Sequence, residues 1–96
     1  MNLQNQLLYV TQLRVKEINS PKIRGVTATW KDGITASISF YFDGEITEED
    51  FDSASDACGE IIAQFSNGFL EENYIRWDYP KPLPKENLAY KRKGEN

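Results

Sequence analysis

Ninety-six residues are enough for one domain with one core, and an apolar share of 40% with 27% charged residues belongs to a folded chain, not a disordered one. No apolar run approaches the roughly 20 residues that span a bilayer, residues 1–10 lack the basic head and apolar stretch of a signal peptide, and a single cysteine excludes an internal disulfide framework. The net charge of −4 conceals a division: residues 32–75 carry eleven carboxylates and neither Lys nor Arg, while the flanks carry eleven basic and four acidic groups. A basic partner is drawn to such a middle and nucleic acid is repelled by it. The lone thiol and missing leader predict a cytoplasmic protein, bound to no membrane.

In chain order, residues 2–18 place Leu3, Leu7 and Val10 at helical spacing, with Gln4, Asn5, Gln6 and Gln12 on the wet face. This helix stops by Ser20-Pro21, because proline disfavours the helical conformation in the residue before it. Residues 23–30 and 34–42 both alternate, which predicts two half-buried strands. A two-residue Asp32-Gly33 loop would set their apolar faces on opposite sides. A three-residue loop pairs Trp30 with Ile34, Ala28 with Ala36 and Val26 with Ile38, and Gly33 then takes a left-handed turn position.

Thr47 reads as a helix cap answered by Asp50, a shortened capping box, with Ile46 and Phe51 at the positions of a hydrophobic staple. From 48 to 65 the apolar residues fall at 51, 54, 58, 61, 62 and 65, a helical stripe that Asn67-Gly68 ends. Residues 74–79 alternate again, with Ile75, Trp77 and Tyr79 on one face. Pro80-Lys81-Pro82-Leu83-Pro84 is extended and stiff, and 88–92 forms a last short strand. The expected fold is α+β in two layers and in the order α-β-β-α-β-β. Two hairpins form one four-stranded antiparallel sheet, with two helices on one face. Residues 1–93 make the single domain and 94–96 a flexible tail.

The chain has no histidine, which removes the commonest general base and any Ser-His or Cys-His pair. Cys58 lies on the apolar stripe with only Asp56 and Glu60 nearby, so it reads as a small buried hydrophobe. The carboxylates of 43–52 lack the ligand spacing of a calcium loop, and a domain this small hardly builds the cleft a glycosidase pair needs. Glu48, Glu49 and Asp50 have a plain role besides, since anions in a first helical turn are favoured by about 0.3–1 kcal/mol each. Trp77, Tyr79, Tyr90, Arg76 and Lys91-Arg92-Lys93 could be read as a base-stacking surface, but no RNP-like pattern accompanies them and the acidic middle opposes phosphate. No catalytic residue, metal site or cofactor is expected.

Two stretches, Phe40-Tyr41-Phe42-Asp43-Gly44-Glu45-Ile46-Thr47-Glu48-Glu49-Asp50 and Ile75-Arg76-Trp77-Asp78-Tyr79-Pro80-Lys81-Pro82-Leu83-Pro84, resemble a group of small bacterial proteins. These are similar to the cytosolic immunity proteins that accompany bacterial toxins. The resemblance covers about residues 23–93 and implies the strand-strand-helix-strand-strand order and a protein partner. The expected function is an immunity-type inhibitor of a basic toxin, with Glu45, Glu48, Glu49, Asp52 and Asp56 as contact candidates and Trp77 or Tyr79 as an aromatic anchor. The alternative is a homo-oligomeric interaction module, a homodimer pairing through an edge strand. An enzyme working with carboxylates alone ranks last.

Overall fold

In the computed structural model, which describes residues 2–66 and 68–95, the chain opens with helix α1 (Leu3–Ile18). The Asn2 side chain caps it by accepting from the Asn5 amide at 2.8 Å, and Asn19 ends it in a left-handed conformation, φ 54°. Leu7, Thr11 and Val15 are buried in a row that advances four residues at a time, flanked by Leu8, Val10 and Ile18. Leu3, expected in the core, is 55% exposed. Its first turn lies beside Trp30 and Ile34 at the hairpin end, where the Leu3 carbonyl accepts from the Trp30 indole at 3.2 Å.

Strands β1 (Ile23–Trp30) and β2 (Thr35–Phe42) form the hairpin, but its register is shifted by two from the expected one: Trp30 faces Ala36, Ala28 faces Ile38 and Val26 faces Phe40. The cause is the turn. The Asp32 carboxylate accepts from the Ile34 and Thr35 amides, and Lys31 donates to the Thr35 carbonyl, so Ile34 becomes a loop residue. Gly33 does take the left-handed position, φ 84°. A slip of two keeps every side chain on its intended face, so Val26, Ala28, Ala36, Ile38, Phe40 and Phe42 all bury against the helices.

Helix α2 (Glu48–Ile62) lies on that same face beside α1 and carries the chain back along the sheet, and β3 (Phe69–Arg76) therefore runs parallel to β2. Here the expected second hairpin fails. The sheet is mixed, in the order β3-β2-β1-β4, and β4 (Leu88–Lys91) pairs antiparallel with β1 at the opposite edge. Strand β3 also begins and ends earlier than the alternation at 74–79 suggested. Leu70 and Tyr74 pack toward the core. Ile75 pairs with Tyr41, whose ring meets Trp77 edge-on on the face away from the helices. The alternation at 74–79 does not make a hairpin, because a period of two reports burial on one face and is silent about strand direction.

To reach β4 the chain from 77 to 87 crosses the end of the sheet. Leu83 is buried against Gly25, where an added Cβ would stand 3.0 Å from Leu83 Cδ1 and 3.3 Å from the Tyr90 carbonyl. Any larger residue at that close approach makes Leu83 or the Tyr90 backbone give by a few tenths of an ångström. The Tyr79-Pro80 peptide is cis. Beneath this crossing Arg24 is buried; it donates from Nη2 and Nε to the two Glu95 carboxylate oxygens at 2.7 and 2.8 Å and from Nη1 to the Trp77 carbonyl at 2.7 Å. Glu95 also accepts from Arg92 at 2.7 Å. Asn67, expected at the end of α2, and Asn96, in the expected tail, lie outside the described residues.

Candidate functional site

Thr47 caps α2: its hydroxyl accepts from the Asp50 amide at 3.2 Å, and the Asp50 carboxylate accepts from the Thr47 amide at 2.8 Å. Asp50 is also clamped by the Lys22 ammonium at 2.5 Å. Burial works against its charged form, yet Lys22 and Thr47 hold the carboxyl below its ordinary value. With Asp50 turned inward, its neighbours in the first turn, Glu48 and Glu49, are left exposed.

The eleven carboxylates of residues 32–75 divide by what they touch. Asp32 holds the hairpin turn, and Asp43 meets Arg92 at 3.4 Å. Glu60 lies 3.9 Å from Arg14, Glu71 lies 2.8 Å from Lys31, and Glu72 accepts from the Tyr74 hydroxyl. With Asp50 these six serve the fold. Glu45, Glu48, Glu49, Asp52 and Asp56 are all exposed, and among the described residues none of their carboxylates is in an ion pair or a hydrogen bond. Glu48, Asp52 and Asp56 stand four residues apart on one stripe of α2, over about 12 Å. Glu45 lies in the loop before the helix, where its carbonyl accepts from Lys22 at 2.6 Å.

The two aromatic candidates differ in how they are held. The Trp77 indole donates to the Pro82 carbonyl at 2.9 Å and lies beneath the Lys81 ammonium, 3.7 Å from the ring centroid, so its polar end and one ring face are occupied within the chain. Tyr79 is 55% exposed, with Arg24 on one side of its ring at 5.4 Å. Both sit at the crossing segment near the end of the sheet, on a different element from the α2 stripe.

Periodicity concealed one further surface. Phe51, assigned to the core stripe, is 41% exposed and meets Tyr74 edge-on at 4.8 Å, and Phe69, which opens β3, is 63% exposed. These two aromatics flank an edge strand whose position follows only from the parallel crossover. Cys58 is fully buried; desolvation, with the Glu72 charge adding to it, pushes its thiol up to about 12. Among the described residues no group of three His, Cys, Asp or Glu side chains is placed to hold a metal, and no helix is long and apolar enough to cross a membrane. A cavity of about 240 Å³ between α1 and α2 is lined by Ile18, Ser20, Glu49, Asp50 and Ser53.

The family described as MafI2 immunity protein matches residues 5–94 of the chain. No curated protein and no solved structure matches it.

Proposed function

Because the chain belongs to the MafI2 immunity protein family, we propose that it is a non-enzymatic cytoplasmic inhibitor that binds a basic toxin domain through the free acidic face of α2. The observation carrying this reading is the division of the carboxylates. Six are consumed by the fold, while the carboxylates of Glu45, Glu48, Glu49, Asp52 and Asp56 are exposed and, among the described residues, in no ion pair. Like charges four residues apart on a helix destabilise it by about 0.2–0.5 kcal/mol per pair. The chain therefore carries the pairs Glu48–Asp52 and Asp52–Asp56 at a cost that solvation of one helix face does not require. A basic partner converts that cost into steering and complementarity. Tyr79 supplies the aromatic anchor in this reading, since Trp77 is engaged by Pro82 and Lys81.

Co-expression with the product of the neighbouring reading frame tests the proposal, which expects that product to be a toxin. The expected result is a co-purifying complex and loss of toxicity; a toxin neither bound nor neutralised refutes it. Within a complex, the triple change Glu48→Lys, Glu49→Lys and Asp52→Lys is expected to slow association at least tenfold at low salt. An unchanged on-rate would move the interface off α2.

The exposure of Leu3 and Ile34 around a cleft shared with Trp30 and Phe65 favours a second reading, a homodimer through that apolar end. Size-exclusion chromatography decides it, because a monomer at high concentration leaves that end without a second copy.

A further inference from the structure

Strand β3 is bonded on one side only. The Phe69 amide donates to the Ile34 carbonyl at 2.8 Å, and the Trp77 amide donates to the Phe42 carbonyl at 2.7 Å. Since backbone groups alternate along a strand, the odd-numbered residues from 69 to 77 turn theirs to β2. Leu70, Glu72, Tyr74 and Arg76 turn their amides and carbonyls to the free edge, and among the described residues no hydrogen bond reaches those amides. Four residues with outward donors and acceptors form a template for one further strand.

Three of the usual protections are missing from this edge: β3 is not short, with eight residues, and it has no proline and no bulge in its pairing with β2. Its surroundings select the occupant. Phe69 at the start of the strand and Phe51 on α2 offer apolar contact along it. Glu72 lies on the strand, the helix that carries the free carboxylates, α2, packs beside it, and no Lys or Arg occurs between residues 32 and 75. Two copies meeting here would bring one acidic helix toward another, which costs free energy. An extended segment bearing Lys or Arg is complementary to the same surface.

We infer that the β3 edge takes up a basic, extended segment of the toxin as a fifth strand, with main-chain hydrogen bonds to Leu70, Glu72 and Tyr74 and with the acidic residues of α2 above it. The inference rests on the immunity reading and adds a place and a partner shape to it. Main-chain pairing supplies affinity in such complexes, and the flanking side chains supply selectivity.

The pair Glu72→Pro and Glu72→Gln tests it with the purified product of the neighbouring reading frame. Both remove the charge, but only proline removes the outward amide, at a position where no bond to β2 is lost. Circular dichroism confirms folding of each variant. The proline variant is expected to bind about 30-fold more weakly than the glutamine variant, the size of a hot-spot loss. In parallel, hydrogen exchange on the wild-type complex is expected to slow at the amides of Leu70, Glu72 and Tyr74, a readout independent of whether the proline variant folds. A toxin bound equally by both variants, or outward amides that exchange as fast in the complex, overturns the edge and leaves the immunity reading standing. A toxin that the wild-type chain does not bind overturns both. Protection that grows with the concentration of the chain alone assigns the edge to a second copy and also overturns the inference.

Discussion

At the scale of single residues, Arg24 and Glu95 set the terms. A guanidinium buried in the fold is tolerable only if its donors are met, and three of them are, by two carboxylate oxygens and the Trp77 carbonyl. Breaking a buried pair from one side typically costs 3–5 kcal/mol. Here Glu95→Gln is expected to cost about 2 kcal/mol in urea unfolding, because the last residues can peel away and let water reach Arg24. Arg92 adds to the hold that Arg24 has on Glu95, and the Glu95 carboxyl lies below its ordinary value. A depressed carboxylate gives stability that is present above its unfolded pKa, about 4.3, and is lost as pH falls through the lower folded value. Asp50, held by Lys22 and Thr47, has the same sign. Unfolding midpoints are therefore expected to hold from pH 7 down to about 5 and to drop below 4, with the drop shallower in Glu95→Gln. Cys58, with its thiol near 12 and no exposure, is expected to react with a thiol reagent at the rate of unfolding and not as a native surface thiol.

At the scale of elements, the interface proposed on α2 sets stability against binding. Asp52→Lys replaces two like-charge pairs, with Glu48 and Asp56, by two attractive ones. It is expected to raise stability by roughly 1 kcal/mol while weakening toxin binding. A substitution that gained stability without any loss of affinity would separate the stripe from the interface. The same helix shows what could be read from the residues beforehand. Thr47, Asp50 and the stripe at 54, 58 and 61 depend on neighbours within a few positions, and their capping and burial appear as expected. The hairpin kept its faces but shifted by two, because Asp32 folds back on two amides and periodicity does not count loop residues. The direction of β3 was illegible for a stronger reason: nothing in the alternation of 74–79 records which strand lies alongside, and that is decided by where α2 delivers the chain. The free carboxylates were candidates by composition alone. Which of the eleven the fold consumes depends on Lys22, Lys31, Arg14 and Arg92, all of them more than twenty positions away from their partners and invisible to local pattern.

At the scale of the whole molecule, the proposed interface turns the charge division of the sequence into a division in function. The flanks lend several cations to the inner carboxylates and leave those of Glu48, Glu49, Asp52 and Asp56 on α2 without any among the described residues. Steering by that face is long-ranged and screened: raising ionic strength from 0.01 to 1 M shortens the Debye length from about 30 to about 3 Å. The on-rate of the wild-type chain is expected to fall steeply over that range in stopped-flow measurements, and the charge-reversed triple variant to show a flat response. Parallel slopes for the two would assign the salt dependence to another surface. The strand order carries a consequence of its own for the newborn chain. Strand β1 is complete by residue 30, yet its second neighbour, β4, begins at residue 88, and the Arg24 clasp needs Glu95. At roughly 5–20 residues per second, that interval is several seconds of synthesis. Throughout it the hairpin has an open flank and Arg24 has no Glu95 to meet it, so the fold closes late, with the arrival of β4 and the residues behind it.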